Sequence, residues 1–134
     1  MPSKVKAVFV WIAQILIGLL FVLVALPKLQ AHPGLVERFH EWGFPAAKQM
    51  VVLTGILELV GGIGFLIPKT NRYGGVLLCM VMAGAFLTHL LHGEWPRLAI
   101  TASLAGIIIF VMMNRRHNTS VDEISPTPSL ATSK

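Results

Sequence analysis

The stretch AVFVWIAQILIGLLFVLVAL, residues 7–26, decides the fold of this chain. It holds 20 residues without a charged side chain, which at about 1.5 Å of helical rise per residue matches the roughly 30 Å hydrocarbon core of a bilayer. We expect a membrane-spanning helix that Pro27 and Lys28 end. A cleaved signal peptide is the competing interpretation, since Lys4 and Lys6 precede the run, but the run is too long and lacks a small-residue cleavage site.

Three more apolar segments follow along the chain. They cover residues 49–67, 73–91 and 98–113; the first of them carries Glu58 and the second carries His89. The last is shorter, but Trp95 and Arg97 stand where interfacial side chains extend a span. The sequence therefore predicts an all-α, polytopic membrane protein. Its fold is a four-transmembrane-helix bundle within residues 1–117, with a long first extramembrane loop.

The composition supports this fold class. Hydrophobic residues make up 54% of the chain and charged residues 13%, about half the charged fraction of a soluble domain. This excludes an ordinary soluble enzyme and a disordered chain, and the single cysteine, Cys79, excludes a disulfide scaffold. The net charge of +5 comes from cations that bracket the apolar segments. We therefore expect the lipid bilayer as a partner and no nucleic acid.

The segments outside the spans differ in character. Residues 27–48 form a connection of about twenty residues in which Leu35, Phe39 and Trp42 share helical spacing. This spacing predicts an amphipathic helix at the membrane surface, and we interpret the three side chains as partner-binding residues. Residues 118–134 are rich in Ser, Thr and Pro, which predicts a polar, disordered cytoplasmic tail.

The distribution of cations predicts the orientation in the membrane. Six stand on the side of the termini and four on the other side: Lys4, Lys6, Lys69, Arg72, Arg115 and Arg116 against Lys28, Arg38, Lys48 and Arg97. By the positive-inside rule both termini are cytoplasmic, and the long first loop faces outward.

Glu58 is the most informative residue. A carboxylate at the midpoint of a span is costly in lipid, so it must face the bundle and find a partner or a ligand. Glycines flank it at helical spacing, at Gly55, Gly61 and Gly62, where a neighbouring helix can approach closely. The functional interpretation is a proton-handling or ligand-orienting acid. The alternative is a structural hydrogen bond between helices.

Three further polar residues join Glu58 as candidates for a ligand-binding or proton-handling site. Gln14 and Lys28 share one face of the first span, although a lysine at this position also snorkels to the interface. His89 lies within the third span and is suited to donate or accept a proton. His89 and His92 are two potential metal ligands, but a site needs three or four, so we predict no metal site.

The order of these residues along the sequence resembles the pattern of the DoxX-like family of small four-helix membrane proteins. The resemblance covers about residues 10–112 and rests on Gly18, Lys28-Leu29, Glu58-Leu59-Val60-Gly61-Gly62, Arg72, and the segment 85–89. It implies a bacterial cytoplasmic (inner) membrane protein, and relatives include the membrane subunit of a thiosulfate:quinone oxidoreductase. Other relatives are linked to oxidative-stress complexes, and distant ones resemble cargo receptors or assembly chaperones. Lys28, Glu58 and His89 match the polar positions of the family pattern.

The leading hypothesis is a redox-associated membrane subunit in which Glu58, His89, Lys28 and Gln14 line a pocket for a quinone-like or small anionic ligand. No residue is assigned as catalytic, and a quinone is the one cofactor considered, because the chain has no flavin, haem or iron–sulfur signature. Electrons would come from other membrane or redox subunits. The alternatives are a non-catalytic structural subunit, assembly factor or cargo-binding protein, or a small transporter, which would require a homo-oligomer.

Overall fold

The computed structural model describes residues 3–124, and over that range the chain is helical with no strand. The helices are α1 (Ser3–Leu29), α2 (Pro33–Glu41), α3 (Ala47–Leu66), α4 (Asn71–Leu91) and α5 (Trp95–Ile124). Four of these five helices, all but α2, are long and apolar enough to cross a membrane. This confirms the all-α, four-span fold predicted from the apolar segments.

The four long helices pack in the order α1, α3, α4, α5, and α5 also touches α1. Glycines set the close approaches. A Cβ atom on Gly62 would lie 3.1 Å from the Gly18 carbonyl oxygen, which brings α1 and α3 together. A Cβ atom on Gly74 would collide with the backbone of Phe65, which does the same for α3 and α4. Small residues thus decide which helices pack against each other.

The interior of the bundle is narrow and apolar. Phe21, Phe65, Leu78 and Ile108 are fully buried, one from each spanning helix. Most other large apolar side chains of the spans are exposed, as Leu16, with 62% of its surface free, illustrates. This inverted balance is that of a bundle surrounded by lipid, where apolar surface carries no cost.

The connection between the first two spans differs from the prediction. It is not a long loop, because α2 occupies nine of its residues, and the predicted amphipathic helix is present. Helix α2 begins at Pro33, whose ring fixes φ near the helical value and whose missing N–H is not needed in the first turn. The His32 side chain caps this end by accepting a hydrogen bond from the Gly34 N–H. Ala31 and Ala46 adopt positive φ angles at the two bends beside α2.

The end of α1 also corrects a prediction. Pro27 lies inside α1, which continues to Leu29, so the expectation that Pro27 and Lys28 end the helix was wrong. A proline removes only its own N–H donor, and the Gln30 N–H still reaches the Leu26 carbonyl oxygen at 3.1 Å. This extra turn keeps Lys28 on the face of α1 that meets α3.

Helix α5 continues beyond its apolar segment as far as Ile124, into the tail predicted for residues 118–134. No glycine or proline stands between Gly106 and Pro126, so no residue of that kind interrupts the helix at the end of the apolar segment. The rest of the predicted tail, residues 125–134, lies outside the described residues.

Candidate functional site

An ion pair between α1 and α3 is the centre of the site. The Lys28 ammonium donates to both carboxylate oxygens of Glu58, with Nζ 2.6 Å from Oε1 and 2.7 Å from Oε2. The Glu58 side chain is 3% exposed and the Lys28 side chain 19% exposed. Helix α3 has a glycine, Gly55, one turn before Glu58, and there the backbone of α1 comes near enough for Lys28 to reach the acid.

The ion pair with Lys28 offsets the desolvation free energy of placing the Glu58 carboxylate inside the bundle. A buried carboxylate without a partner is strongly destabilising, whereas one that is paired through both oxygens has its charge compensated. Lys28 therefore does not simply extend to the membrane interface. Its stem lies along α3, and its ammonium group is directed at the acid.

Next to the ion pair lies a cavity of about 370 Å³. Its wall includes both members of the pair and side chains of α4 and α5, so every helix of the described chain contributes to it. The polar and charged groups of the wall are Lys28, Arg38, Thr54, Glu58, Thr88, His89 and Arg97. The cavity lies toward the end of the bundle where α1 and α4 finish and where α3 and α5 begin.

Helix α2 and the turn after it supply the aromatic part of the wall. Leu35, Phe39, Trp42 and Phe44 all line the cavity. The ring of Phe39 lies 5.3 Å, between centroids, from the rings of both Trp42 and Phe44. The three residues predicted as partner-binding are therefore directed at the cavity, and their apolar face packs over the bundle.

A second polar group joins the ends of α4 and α5. His89 Nδ1 lies 2.7 Å from Glu94 Oε2, and Arg97 Nη1 lies 3.3 Å from Glu94 Oε1. The pKa of Glu94 is below its ordinary value of 4.5: partial desolvation raises it, but the His89 hydrogen bond and nearby positive charges, among them Arg97 and Arg38, outweigh that effect. Glu94 is ionised at neutral pH and accepts, so Nδ1 of His89 carries the hydrogen.

His89 is thereby held in one orientation. The Trp42 indole meets its imidazole edge to face, with centroids 5.6 Å apart. With Nδ1 directed at Glu94, Nε2 is the remaining ring nitrogen. In the neutral ring it accepts a hydrogen bond, and in the protonated ring it donates one. A single nitrogen can therefore serve either a hydroxyl or a carbonyl group.

Gln14 lies elsewhere in the bundle. Its Nε2 donates to the carbonyl oxygens of Phe65, at 2.8 Å, and Leu66, at 3.2 Å. Its Oε1 accepts from the Arg115 guanidinium, which lies 4.1 Å from the centroid of the Trp11 ring. Phe65 is two turns beyond Glu58, or about 10 Å along α3. The structure thus brings Glu58, Lys28 and His89 to one cavity and places Gln14 in a separate polar cluster.

Arg38 and Arg97 are cavity residues that sequence reasoning did not assign to the site. A signal for Arg38 was present, because it stands three residues after Leu35 and four before Trp42, on the same helical stripe. Arg97 stands three residues after Glu94, so its contact with that carboxylate is a local one at helical spacing. Among the described residues, no group of three or more His, Cys, Asp or Glu side chains is placed to hold a metal ion.

Comparison with known proteins agrees with the fold. The sequence profile of the DoxX-like family matches residues 12–111, which contain the whole of α2, α3 and α4 and parts of α1 and α5. The chain is also 27% identical over 90 residues to the uncharacterized protein YdgD of Bacillus subtilis strain 168, covering 64% of this chain and 77% of that protein. No solved structure matches the chain.

Proposed function

This chain belongs to the DoxX-like family, and from that premise we propose that its cavity binds the head group of a quinone-like ligand. The observation that supports the proposal is one cavity of about 370 Å³ with an aromatic wall formed by α2 and the turn after it, and with charged or polar groups from the other helices. Sites for small organic ligands have this size and this mixture of apolar wall and few polar groups.

The residues of the wall fit such a head group. The rings of Phe39, Trp42 and Phe44 offer faces for an aromatic ring. The Lys28 ammonium uses two of its three hydrogens on Glu58, so a third remains for a carbonyl oxygen. Nε2 of His89 accepts from a hydroxyl group or, when protonated, donates to a carbonyl group. The wall therefore has partners for both the oxidised and the reduced head group.

A quinone, when bound, supplies the exchange of two electrons together with two protons. The residues of this chain orient the ring, exclude water, and hold protons at His89 and at the Lys28–Glu58 pair. The sequence has no motif for a flavin, a haem or an iron–sulfur cluster, so we place the electron donor in a separate subunit. The protein would then be the membrane subunit of a quinone-linked oxidoreductase, of which thiosulfate:quinone oxidoreductase is an example. The proposed location is the bacterial inner membrane.

Equilibrium dialysis of 1,4-naphthoquinone against the protein in phosphatidylcholine nanodiscs tests this proposal. We expect saturable binding beyond that of empty nanodiscs, and about tenfold weaker binding for Trp42→Ala, because the variant loses ring contact area. Trp95→Ala is the matched control, since Trp95 is 66% exposed and does not line the cavity. Equal loss in both variants, or no binding by the wild type, would contradict the proposal.

Glu58→Gln gives a second, independent test. This substitution keeps the shape of the side chain but removes the charge that holds Lys28. We expect the bundle to remain assembled, with an unchanged elution volume, while naphthoquinone binding is lost. Binding equal to that of the wild type would argue against a role of the pair in the site.

One observation favours a second candidate, a non-catalytic structural subunit, assembly factor or cargo-binding protein. Both oxygens of Glu58 are already taken by Lys28, and the pair connects α1 to α3. If the protein has this role, the Glu58→Gln variant should have the unfolding free energy and the partner binding of the wild type. Glu58→Leu should destabilise the bundle. The Leu35, Phe39 and Trp42 variants would then lower co-purification of a second protein and leave naphthoquinone binding unchanged.

A further inference from the structure

Within residues 4–115, Arg38 differs from the other charged residues around the cavity in having no ion-pair partner. Lys28 is paired with Glu58, and Arg97 lies within 3.3 Å of Glu94. No hydrogen bond or ion pair joins Arg38 to any side chain among residues 4–115. Its charge acts on Glu94 only over a distance. Arg38 is nevertheless half-buried in the wall of the cavity.

The charges around the cavity therefore do not balance. The wall carries three cationic side chains, of Lys28, Arg38 and Arg97, and one carboxylate, that of Glu58. Glu58 pairs with Lys28, and Glu94, which does not line the cavity, pairs with Arg97. One positive charge is left over when His89 is neutral. A partly desolvated guanidinium offers several N–H donors in a planar fork, which suits an anionic oxygen group.

We propose that the ligand of this cavity is a ring-bearing monoanion, an ionised enol or carboxylate on an aromatic or quinoid ring, and that Arg38 binds its charged oxygen. This inference rests on the proposed function and narrows it from a neutral quinone head group to an acidic one. Arg38 lies in the last turn of α2 and Trp42 is the C-cap residue of that helix, four positions later, so the charged oxygen and the ring would be held by neighbouring side chains. The aromatic wall favours a ring over an acyl chain.

A pair of probes of nearly equal shape tests the charge preference. The first, 2-hydroxy-1,4-naphthoquinone, is ionised at neutral pH, and the second, 2-methoxy-1,4-naphthoquinone, is neutral. Both are dialysed against the protein in phosphatidylcholine nanodiscs, whose lipid carries no net charge, with empty nanodiscs as the blank. We expect the wild type to bind the ionised probe about tenfold more tightly than the neutral one.

Arg38→Gln should remove this preference, with about tenfold weaker binding of the ionised probe and less than about twofold change for the neutral one. Arg38→Lys keeps the charge without the fork and should retain part of the preference. Lys48→Gln is the control, since Lys48 is an exposed cation at the start of α3 that does not line this cavity. Because no side chain of residues 4–115 depends on Arg38 for a hydrogen bond, its variants should have the thermal stability of the wild type.

The possible failures are distinguishable. If the wild type binds both probes equally and Arg38→Gln changes neither, the charge assignment is overturned while the proposed binding of a quinone-like ring stands. If Lys48→Gln lowers the affinity for the ionised probe as much as Arg38→Gln does, general surface charge explains the preference and the inference fails. If the wild type binds neither probe, both the inference and the proposed function are wrong.

Discussion

The backbone of Gly55 lies directly against Lys28, so close that a Cβ atom on the glycine would be 2.8 Å from the Lys28 Cβ atom. It would also be 3.1 Å from the Leu29 amide nitrogen. Contacts of this kind leave no room for a side chain. Because Gly55 has no side chain, α1 can approach α3 closely at this position. This short distance between the helices lets Lys28 contact Glu58.

Gly55→Ala should destabilise the bundle. The added methyl group meets backbone atoms that cannot rotate away, so α1 and α3 must separate, at a cost of about 1–3 kcal/mol. Thermal unfolding in detergent measures the change. Gly106→Ala is the control, because a Cβ atom there has no neighbour within 4 Å. Equal melting temperatures for Gly55→Ala and the wild type would show that this close packing is not required.

Single substitutions at Lys28 and at Glu58 should destabilise the protein by unequal amounts. Lys28→Met leaves a carboxylate that is 3% exposed without its partner and should cost on the order of 3 kcal/mol. Glu58→Leu should cost less, because the ammonium that remains is 19% exposed and can extend toward water. The double variant removes both charges and should be more stable than Lys28→Met. Additive losses in this double-mutant cycle would mean that the two groups do not interact.

The lowered pKa of Glu94 predicts a dependence of stability on pH. A carboxyl group whose folded-state pKa is lower than its unfolded-state pKa stabilises the folded protein above the ordinary value of 4.5, and this contribution disappears as the pH falls through the folded-state pKa. The melting temperature of Glu94→Gln should therefore be below that of the wild type at neutral pH, and the difference should shrink under acidic conditions. Glu37→Gln is the control, because it shows how the loss of an exposed carboxylate by itself changes the melting temperature. A difference that grows on acidification would contradict the assignment.

Gln14 should matter for stability and not for ligand binding. Gln14→Leu removes the hydrogen bonds to the carbonyl oxygens of Phe65 and Leu66 and to the Arg115 guanidinium. We expect a loss of about 1–3 kcal/mol in unfolding free energy. Affinity for 1,4-naphthoquinone should remain that of the wild type, since Gln14 is not part of the cavity wall. If Gln14→Leu has the melting temperature of the wild type but binds naphthoquinone more weakly, Gln14 contributes to ligand binding and this prediction is wrong.

The orientation in the membrane is a prediction that cysteine labelling tests. In a Cys79→Ala background, a cysteine at Glu41, exposed at the end of α2, should react with a membrane-impermeant maleimide added to intact spheroplasts. A cysteine at Lys69, exposed in the turn between α3 and α4, should react only after the membrane is opened. The reverse pattern would place both termini outside.

Local sequence patterns were sufficient for the helices and insufficient for their ends. The apolar segments predicted four spans because their lengths match a bilayer, and the spacing of Leu35 and Phe39 predicted α2. Pro27 was a misleading signal, since a proline in the last turn removes one hydrogen bond without ending the helix. The shortening of the first loop followed from α2 itself, which converts an extended connection into a helix with two short bends.

The candidate site was predictable only in part. Glu58 was identified because a carboxylate in lipid needs a partner, and Lys28 and His89 because they are polar groups within or beside apolar segments. Gln14 met the same criterion, yet it lies with Phe65 and Arg115 at another level of the bundle. One-dimensional spacing shows which face of a helix a residue occupies, but not the height at which a second helix meets it.

The amino-acid sequence by itself determined that this chain crosses a membrane four times and that one acid must be shielded from lipid, because both follow from the free energy of moving groups out of water. Only the tertiary structure decided which cation meets that acid, that α2 turns its aromatic face toward a cavity, and that Arg38 lines this cavity with no ion-pair partner among residues 4–115. Those outcomes depend on how closely glycines such as Gly55 let the helices approach. Contact between residues distant in the chain depends on helix position, and composition and periodicity do not specify that position.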